Sequence, residues 1–166
     1  IFGPDGLMQF AKSTVKVLVT GAWGQLGSAL VGHTPSGVAV IAAGSRDLDI
    51  AERAAVLAFL ERERPELILN AAAYTAVDRA ESDAERAVAV NDEGVANLVA
   101  GAEAIGARLA HVSTDFVFDG SACRAYSVDA PTAPLGVYGA SKLAGERHLR
   151  PGDLCVRTAW VYAAAG

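Results

Sequence analysis

From residue 15 onward the chain alternates short, almost wholly apolar runs with longer alanine-rich stretches. The apolar runs lie at residues 15–20, 38–43, 67–70, 108–113 and 154–159. They are rich in β-branched residues and too short for helices, so they read as strands covered on both faces. The stretches near 51–64, 82–105 and 137–149 carry helical patterning. In the first, Val56, Leu57 and Leu60 share a buried face, Glu52, Arg53 and Glu63 face water, and Pro65 stops the helix. In the second, Ser82 and Glu85 form a capping-box pair, Val88, Val95, Leu98 and Ala102 line the apolar face, and Gly106 ends it. Strands alternating with helices predict an α/β fold, a doubly wound parallel sheet of the Rossmann type. No internal repeat or low-complexity linker divides residues 15–166, which read as one domain. Residues 1–14 start without Met and carry loop formers, and they read as a tail or an added segment.

Composition narrows the picture. With 166 residues, 52% hydrophobic and 20% charged, the chain can build a real core and is not disordered. A net charge of −5, with the acids scattered, offers nothing to a nucleic-acid backbone or an anionic membrane. No run is long enough to span a bilayer and no signal peptide is visible. Cys123 and Cys155 lack any CxxC or metal-ligand spacing and read as reduced core or loop thiols of a cytoplasmic protein. The sequence stops at "TAWVYAAAG", just after the last strand, and reads as the first part of something longer.

The strand "VKVLVT" runs into "GAWGQLG" and so places Gly21, Gly24 and Gly27 at a strand–helix junction, with Gln25 and Leu26 opening the helix. Glycines there admit a pyrophosphate to the backbone N–H groups and the helix dipole, although tight βα turns also use glycine structurally. The second strand ends "GSRDLDI". Arg46 leans toward a 2′-phosphate, hence NADPH, or is simply solvated, whereas Asp49 reaches the adenine or caps the next helix. Ala71, Ala72 and Ala73 leave space at the end of the third strand. Asn91 falls on a buried helix face and serves either as polar glue or as part of a site. Ser113, Thr114 and Asp115 emerge from the fourth strand on the same rim as the glycine turn. In "VYGASKLAGE", Tyr138 and Lys142 stand one helical turn apart, so the cation can draw the phenol pKa downward. His33, His111 and His148 have no ligand spacing and read as core, surface or helix-end residues, and no metal site is assigned.

Taken together, "VLVTGAWGQLGSAL", "NAAAYTAVDRAES", "HVSTDFVFDG", "PTAPLGVYGASKLAGE" and "RTAWVY" resemble the extended short-chain dehydrogenase/reductases, and within them the dTDP-4-dehydrorhamnose reductase family. The resemblance covers roughly residues 15–162. It implies NADPH, with NADH the alternative, over the glycine turn, and a dTDP-sugar whose 4-keto group is reduced. Tyr138 would be the proton donor, Lys142 the holder of the nicotinamide ribose and Thr114 a hydrogen-bond donor to the carbonyl. Asp115 and Trp160 would contact substrate. The resemblance also implies a C-terminal substrate domain beyond this chain and is compatible with Mg2+ and with a homodimer. Phe116 follows Asp115 where related dehydratases have a second acid, which counts against water elimination. Trp23, Phe116, Ala159 and Ala163 depart from the usual family residues without removing a catalytic group. Two other readings stay open: a sugar-nucleotide epimerase, and a non-catalytic binding subunit like the regulatory subunit of methionine adenosyltransferase.

Overall fold

The computed structural model describes residues 14–162. Ala163 and all but the last residue of the N-terminal extension lie outside the described residues. Five parallel strands form one sheet in the order β2-β1-β3-β4-β5. They are β1 (Val15–Thr20), β2 (Val38–Ala43), β3 (Leu67–Asn70), β4 (Arg108–Thr114) and β5 (Leu154–Thr158). The chain leaves β1 in one direction to form β2, then crosses back over β1 to form β3. The strand order therefore reverses between β1 and β3, and a crevice opens beyond their C-terminal ends. Thr20 and Asn70 are register partners at that point, and His111 of β4 is level with Asn70.

Helices wind on both faces, as the continuous apolar strands require. On β1, Val17 and Val19 face a cluster that includes Leu30 and Val31 of α1 (Gln25–Gly32). Leu18 points the other way, into the larger core built by α2 (Arg53–Glu63) and α5 (Gly94–Ile105). Val56 and Leu60 of α2 are fully buried there with Val95, Leu98 and Ala102, each large side chain contributing about 1.5–3 kcal/mol by burial. The two helices approach closely because position 101 is glycine: a Cβ there would lie 2.4 Å from Leu60 Cδ1.

The helix expected over 82–105 differs from the reading in two ways. It begins as α3 (Val77–Ala80) and α4 (Ala84–Val88), then passes through a π-helical turn, Ala89–Glu93, into α5. Asp83 occupies the N-cap position without a side-chain cap bond, and Ser82 Oγ donates to the Arg79 carbonyl, so the capping box does not form. The π turn adds a residue and shifts the helical phase. As a result Ala87, not Val88, joins the buried face, and Val88 is exposed. The last helix, α6 (Val137–Glu146), packs against the π turn and β4. Glycine decides this approach too, since a Cβ on Gly145 would stand 2.1 Å from the Asn91 carbonyl oxygen.

Candidate active site

A cleft of about 780 Å³ opens over the strand-order reversal. One wall is the glycine turn. Gly21 has φ +65° and lies so close to β3 that a Cβ would meet Ala72 N at 2.6 Å. A Cβ on Gly27 would stand 2.1 Å from the Gly21 carbonyl oxygen. These contacts involve backbone, so no side chain could be accommodated by rotamer change. The N-cap of α1 is Gly24, which makes no side-chain cap bond. The first-turn N–H groups of α1 therefore face the cleft, where the helix dipole favours an anion.

The opposite end is bounded by the segment after β2. Trp23 lies over Gly44 and its indole N–H donates to Asp47 Oδ2 at 3.2 Å. Asp47 also accepts from Gly44 N at 2.9 Å, and these bonds hold its carboxyl below the usual range. Asp49 lines the cleft but is engaged, accepting from Ala51 N at 3.0 Å and pairing with Arg86 at 3.0 Å. It both caps the turn before α2 and closes the cleft wall. Ser45 lines the cleft, whereas the exposed Arg46 stands just outside its wall.

Thr114, Asp115, Tyr138 and Lys142 converge on the remaining side. Gly139 lets the start of α6 press onto the turn after β4: a Cβ there would lie 2.3 Å from the Phe116 carbonyl oxygen. Tyr138 then packs its ring edge-on against Phe116, with centroids 5.5 Å apart. Thr114 Oγ1 donates to Asp115 Oδ1 and accepts from Phe116 N, both at 3.2 Å. Lys142 is 2% exposed, and its Nζ donates to the Val112 carbonyl at 2.7 Å. Burial lowers its pKa to about 8.

The phenol does not behave as the Tyr–Lys spacing alone predicts. Burial raises the Tyr138 pKa, while the nearby Thr114 hydroxyl works the other way. Lys142 contributes no lowering, for its amine is turned toward Val112. At neutral pH the site thus offers a protonated phenol beside a buried ammonium.

Of the residues singled out from sequence, Gly21, Gly24, Gln25, Leu26, Gly27, Asp49, Ala71, Ala72, Ala73, Thr114, Asp115, Tyr138, Lys142 and Trp160 all border this one cleft, and Arg46 does not. Trp160 sits at its mouth, 92% exposed and with φ +52°. Asn91 proves to be structural polar glue. Its Oδ1 accepts from Tyr74 N at 2.9 Å, and its Nδ2 donates to the Tyr74 carbonyl at 3.1 Å and to Ser141 Oγ at 3.0 Å. Cys155, expected in a core or loop, is an exposed strand residue, and Cys123 is exposed as well. Asn70, His111 and Ser141 carry no site signal in the sequence, because no spacing along the chain links β3, β4 and α6. Among the described residues no helix is long and apolar enough to cross a membrane, and no group of three or more His, Cys, Asp or Glu could hold a metal ion.

Comparison with known proteins points the same way. The family described as RmlD substrate binding domain matches residues 15–166. A dTDP-4-dehydrorhamnose reductase of Streptomyces griseus is 48% identical over 157 residues, which are 90% of this chain and 51% of that protein. The crystal structure of a Clostridium acetobutylicum dTDP-4-dehydrorhamnose reductase superposes with a TM-score of 0.88 at 38% identity, over 92% of this chain and 56% of that one. A Bacillus anthracis dTDP-4-dehydrorhamnose reductase, solved in complex with NADP, gives 0.89 at 36% identity over the same shares. The chain spans about half the length of the relatives it matches. A match across the whole sheet and cleft assigns the chain to the RmlD substrate-binding-domain family.

Proposed function

We propose that the protein reduces the 4-keto group of dTDP-4-dehydro-L-rhamnose, giving dTDP-L-rhamnose, with NADPH as the reductant. The observation that carries this reading is the placement of Thr114, Tyr138 and Lys142 on one rim of a cleft whose other wall is the glycine turn. The wall fits a dinucleotide: glycines 21 and 27 are pressed so tightly against backbone that no side chain can stand there between a phosphate and the turn. When bound, the reduced dinucleotide supplies the hydride. Gly21, Gly24, Gln25, Leu26 and Gly27 would hold its pyrophosphate, Ala71, Ala72 and Ala73 would give it room, and Arg46 and Asp49 would meet its adenosine end.

The chain's own residues account for the proton and the charge. Tyr138 stays protonated at neutral pH because burial disfavours its phenolate. It can therefore deliver a proton to an alkoxide oxygen as charge develops there. Thr114, anchored by Phe116 N, can turn its one hydroxyl hydrogen from Asp115 Oδ1 to the same oxygen. Lys142 is held from behind by the Val112 carbonyl, so its remaining N–H bonds are available to ribose hydroxyls. Asp115 and Trp160 at the mouth are positioned to meet the sugar nucleotide.

The test is NADPH oxidation with dTDP-4-dehydro-L-rhamnose, using a protein of the full length that its relatives have. Tyr138→Phe should abolish turnover while leaving NADPH affinity within about twofold, since it removes a proton and not a binding group. NADPH binding without turnover by the wild type would overturn the reductase reading in favour of a binding subunit. Retention of tightly bound NAD with interconversion of sugar epimers would overturn it in favour of an epimerase.

A further inference from the structure

A line of buried polar side chains crosses the sheet beneath the cleft. Thr20 of β1, Asn70 of β3 and His111 of β4 lie side by side, and Lys142 of α6 closes the row; each is 2% exposed or less. Burying four polar groups in a strand core is costly unless each is bonded in a particular sense. Among the described residues every buried side-chain polar atom has a polar neighbour within hydrogen-bond distance, and the directions of the hydrogens follow from the groups that can only donate.

The fixed point is Ala72 N–H, a backbone group that can only donate. It donates to Asn70 Oδ1 at 3.1 Å, and the Thr20 hydroxyl donates to the same oxygen at 2.7 Å. The amide orientation follows, and Asn70 Nδ2 faces His111 Nδ1 at 2.9 Å. Nδ2 can only donate, so Nδ1 must accept. Burial lowers the His111 pKa to about 3, so the ring is neutral and its single hydrogen is on Nε2. Nε2 stands 3.4 Å from Lys142 Nζ, donor against donor.

A lysine ammonium cannot give a hydrogen to such a neighbour. One N–H goes to Val112 O at 2.7 Å, and the face toward His111 is closed. The other two N–H bonds are left to the cleft side. We infer that His111, held in its Nε2–H tautomer by Asn70, is a positioning residue that turns the free N–H bonds of Lys142 into the cleft. The inference rests on the reading of Lys142 as a cofactor-holding group. It also gives the polar end of β3 a role beyond joining strands, because Asn70 sets the tautomer that the lysine meets.

The experiment combines nitrogen-15 NMR of the imidazoles with NADPH affinity, measured by titration without any sugar substrate. Both readouts are thus independent of turnover, and a failure of the reductase reading would leave them intact. The wild-type His111 signal, assigned by its loss in His111→Gln, should show an unprotonated Nδ1 and a protonated Nε2 between pH 5 and 8. Asn70→Asp keeps the side-chain shape and the acceptor for Ala72 N–H, but replaces the Nδ2 donor by an oxygen. The His111 hydrogen should then move to Nδ1, leaving Nε2 as an acceptor that draws a lysine N–H away from the cleft. The dissociation constant for NADPH should rise on the order of tenfold, the equivalent of about one charge-assisted hydrogen bond. A protonated Nδ1 in the wild type would overturn the inference without reference to any variant. So would Asn70→Asp if it moved the hydrogen and left NADPH affinity unchanged.

Discussion

Replacing Gly145 by alanine tests whether the approach of α6 to the π turn positions the reacting groups. A Cβ at residue 145 would lie 2.1 Å from the Asn91 carbonyl oxygen and 3.1 Å from Val95 Cγ2. Backbone cannot rotate away, so α6 must retreat by about 0.9 Å to reach even the 3.0 Å floor of real Cβ contacts. That retreat stretches the 3.0 Å bond from Asn91 Nδ2 to Ser141 Oγ and carries Lys142, the next residue, with it. Overpacking of this kind costs about 1–3 kcal/mol, a fall in Tm of roughly 2–10 °C for a chain of this size. Displacing Tyr138 and Lys142 by close to an ångström should lower kcat of the proposed reduction on the order of a hundredfold. The assays are thermal unfolding and steady-state NADPH oxidation, with Gly32→Ala beside it. Gly32 ends α1 with nothing within 4 Å of an added Cβ, so this control should lose neither stability nor activity. A Gly145→Ala protein with wild-type Tm and kcat would refute the claim that helix approach sets the site.

Other consequences follow from the charges. Burial lowers the Lys142 pKa from 10.5 to about 8, so the folded state is penalised for holding the ammonium below pH 8, and the penalty lifts as pH rises toward 10.5. Lys142→Met should therefore lose activity yet match or exceed the wild-type Tm at pH 7, with the gap narrowing by pH 10; a lower Tm at pH 7 contradicts this. Glu146 is bound twice over by Arg157, at 2.9 Å and 2.6 Å, and accepts from Ser113 Oγ. These bonds hold its pKa down against a burial effect that pushes it up. Its stabilisation is present above the ordinary carboxylate range and disappears as pH falls through the lowered value. Glu146→Gln should cost about 1–3 kcal/mol at pH 7, measured by urea unfolding, and the difference should vanish in acid. Arg46→Ala should raise the KM for NADPH about tenfold and leave that for NADH unchanged; equal effects on both would remove Arg46 from any role in cofactor choice.

The strands and their order of appearance were legible in the sequence because a strand buried on both faces must be apolar at nearly every position. Val17, Leu18 and Val19 show this, facing opposite clusters in turn. The glycine turn and the Tyr138–Lys142 spacing were legible for a related reason: each is a local motif, settled within seven residues by backbone freedom or helical period. Where the pattern was extrapolated through a whole helix it failed. The π turn at Ala89–Glu93 leaves no mark in hydrophobic periodicity except a phase shift that turned Val88 outward. The direction of the Tyr138 pKa was likewise beyond the sequence, since it depends on burial and on where the lysine amine points. Strand pairing alone brings Thr20, Asn70 and His111 into line across fifty and then forty-one residues of sequence. A short-range pattern can specify which residues carry chemistry. The hydrogen-bond directions among them follow from packing as well, because one local bond, Ala72 N–H to Asn70 Oδ1, orients an amide whose other partners, Thr20 and His111, lie on different strands.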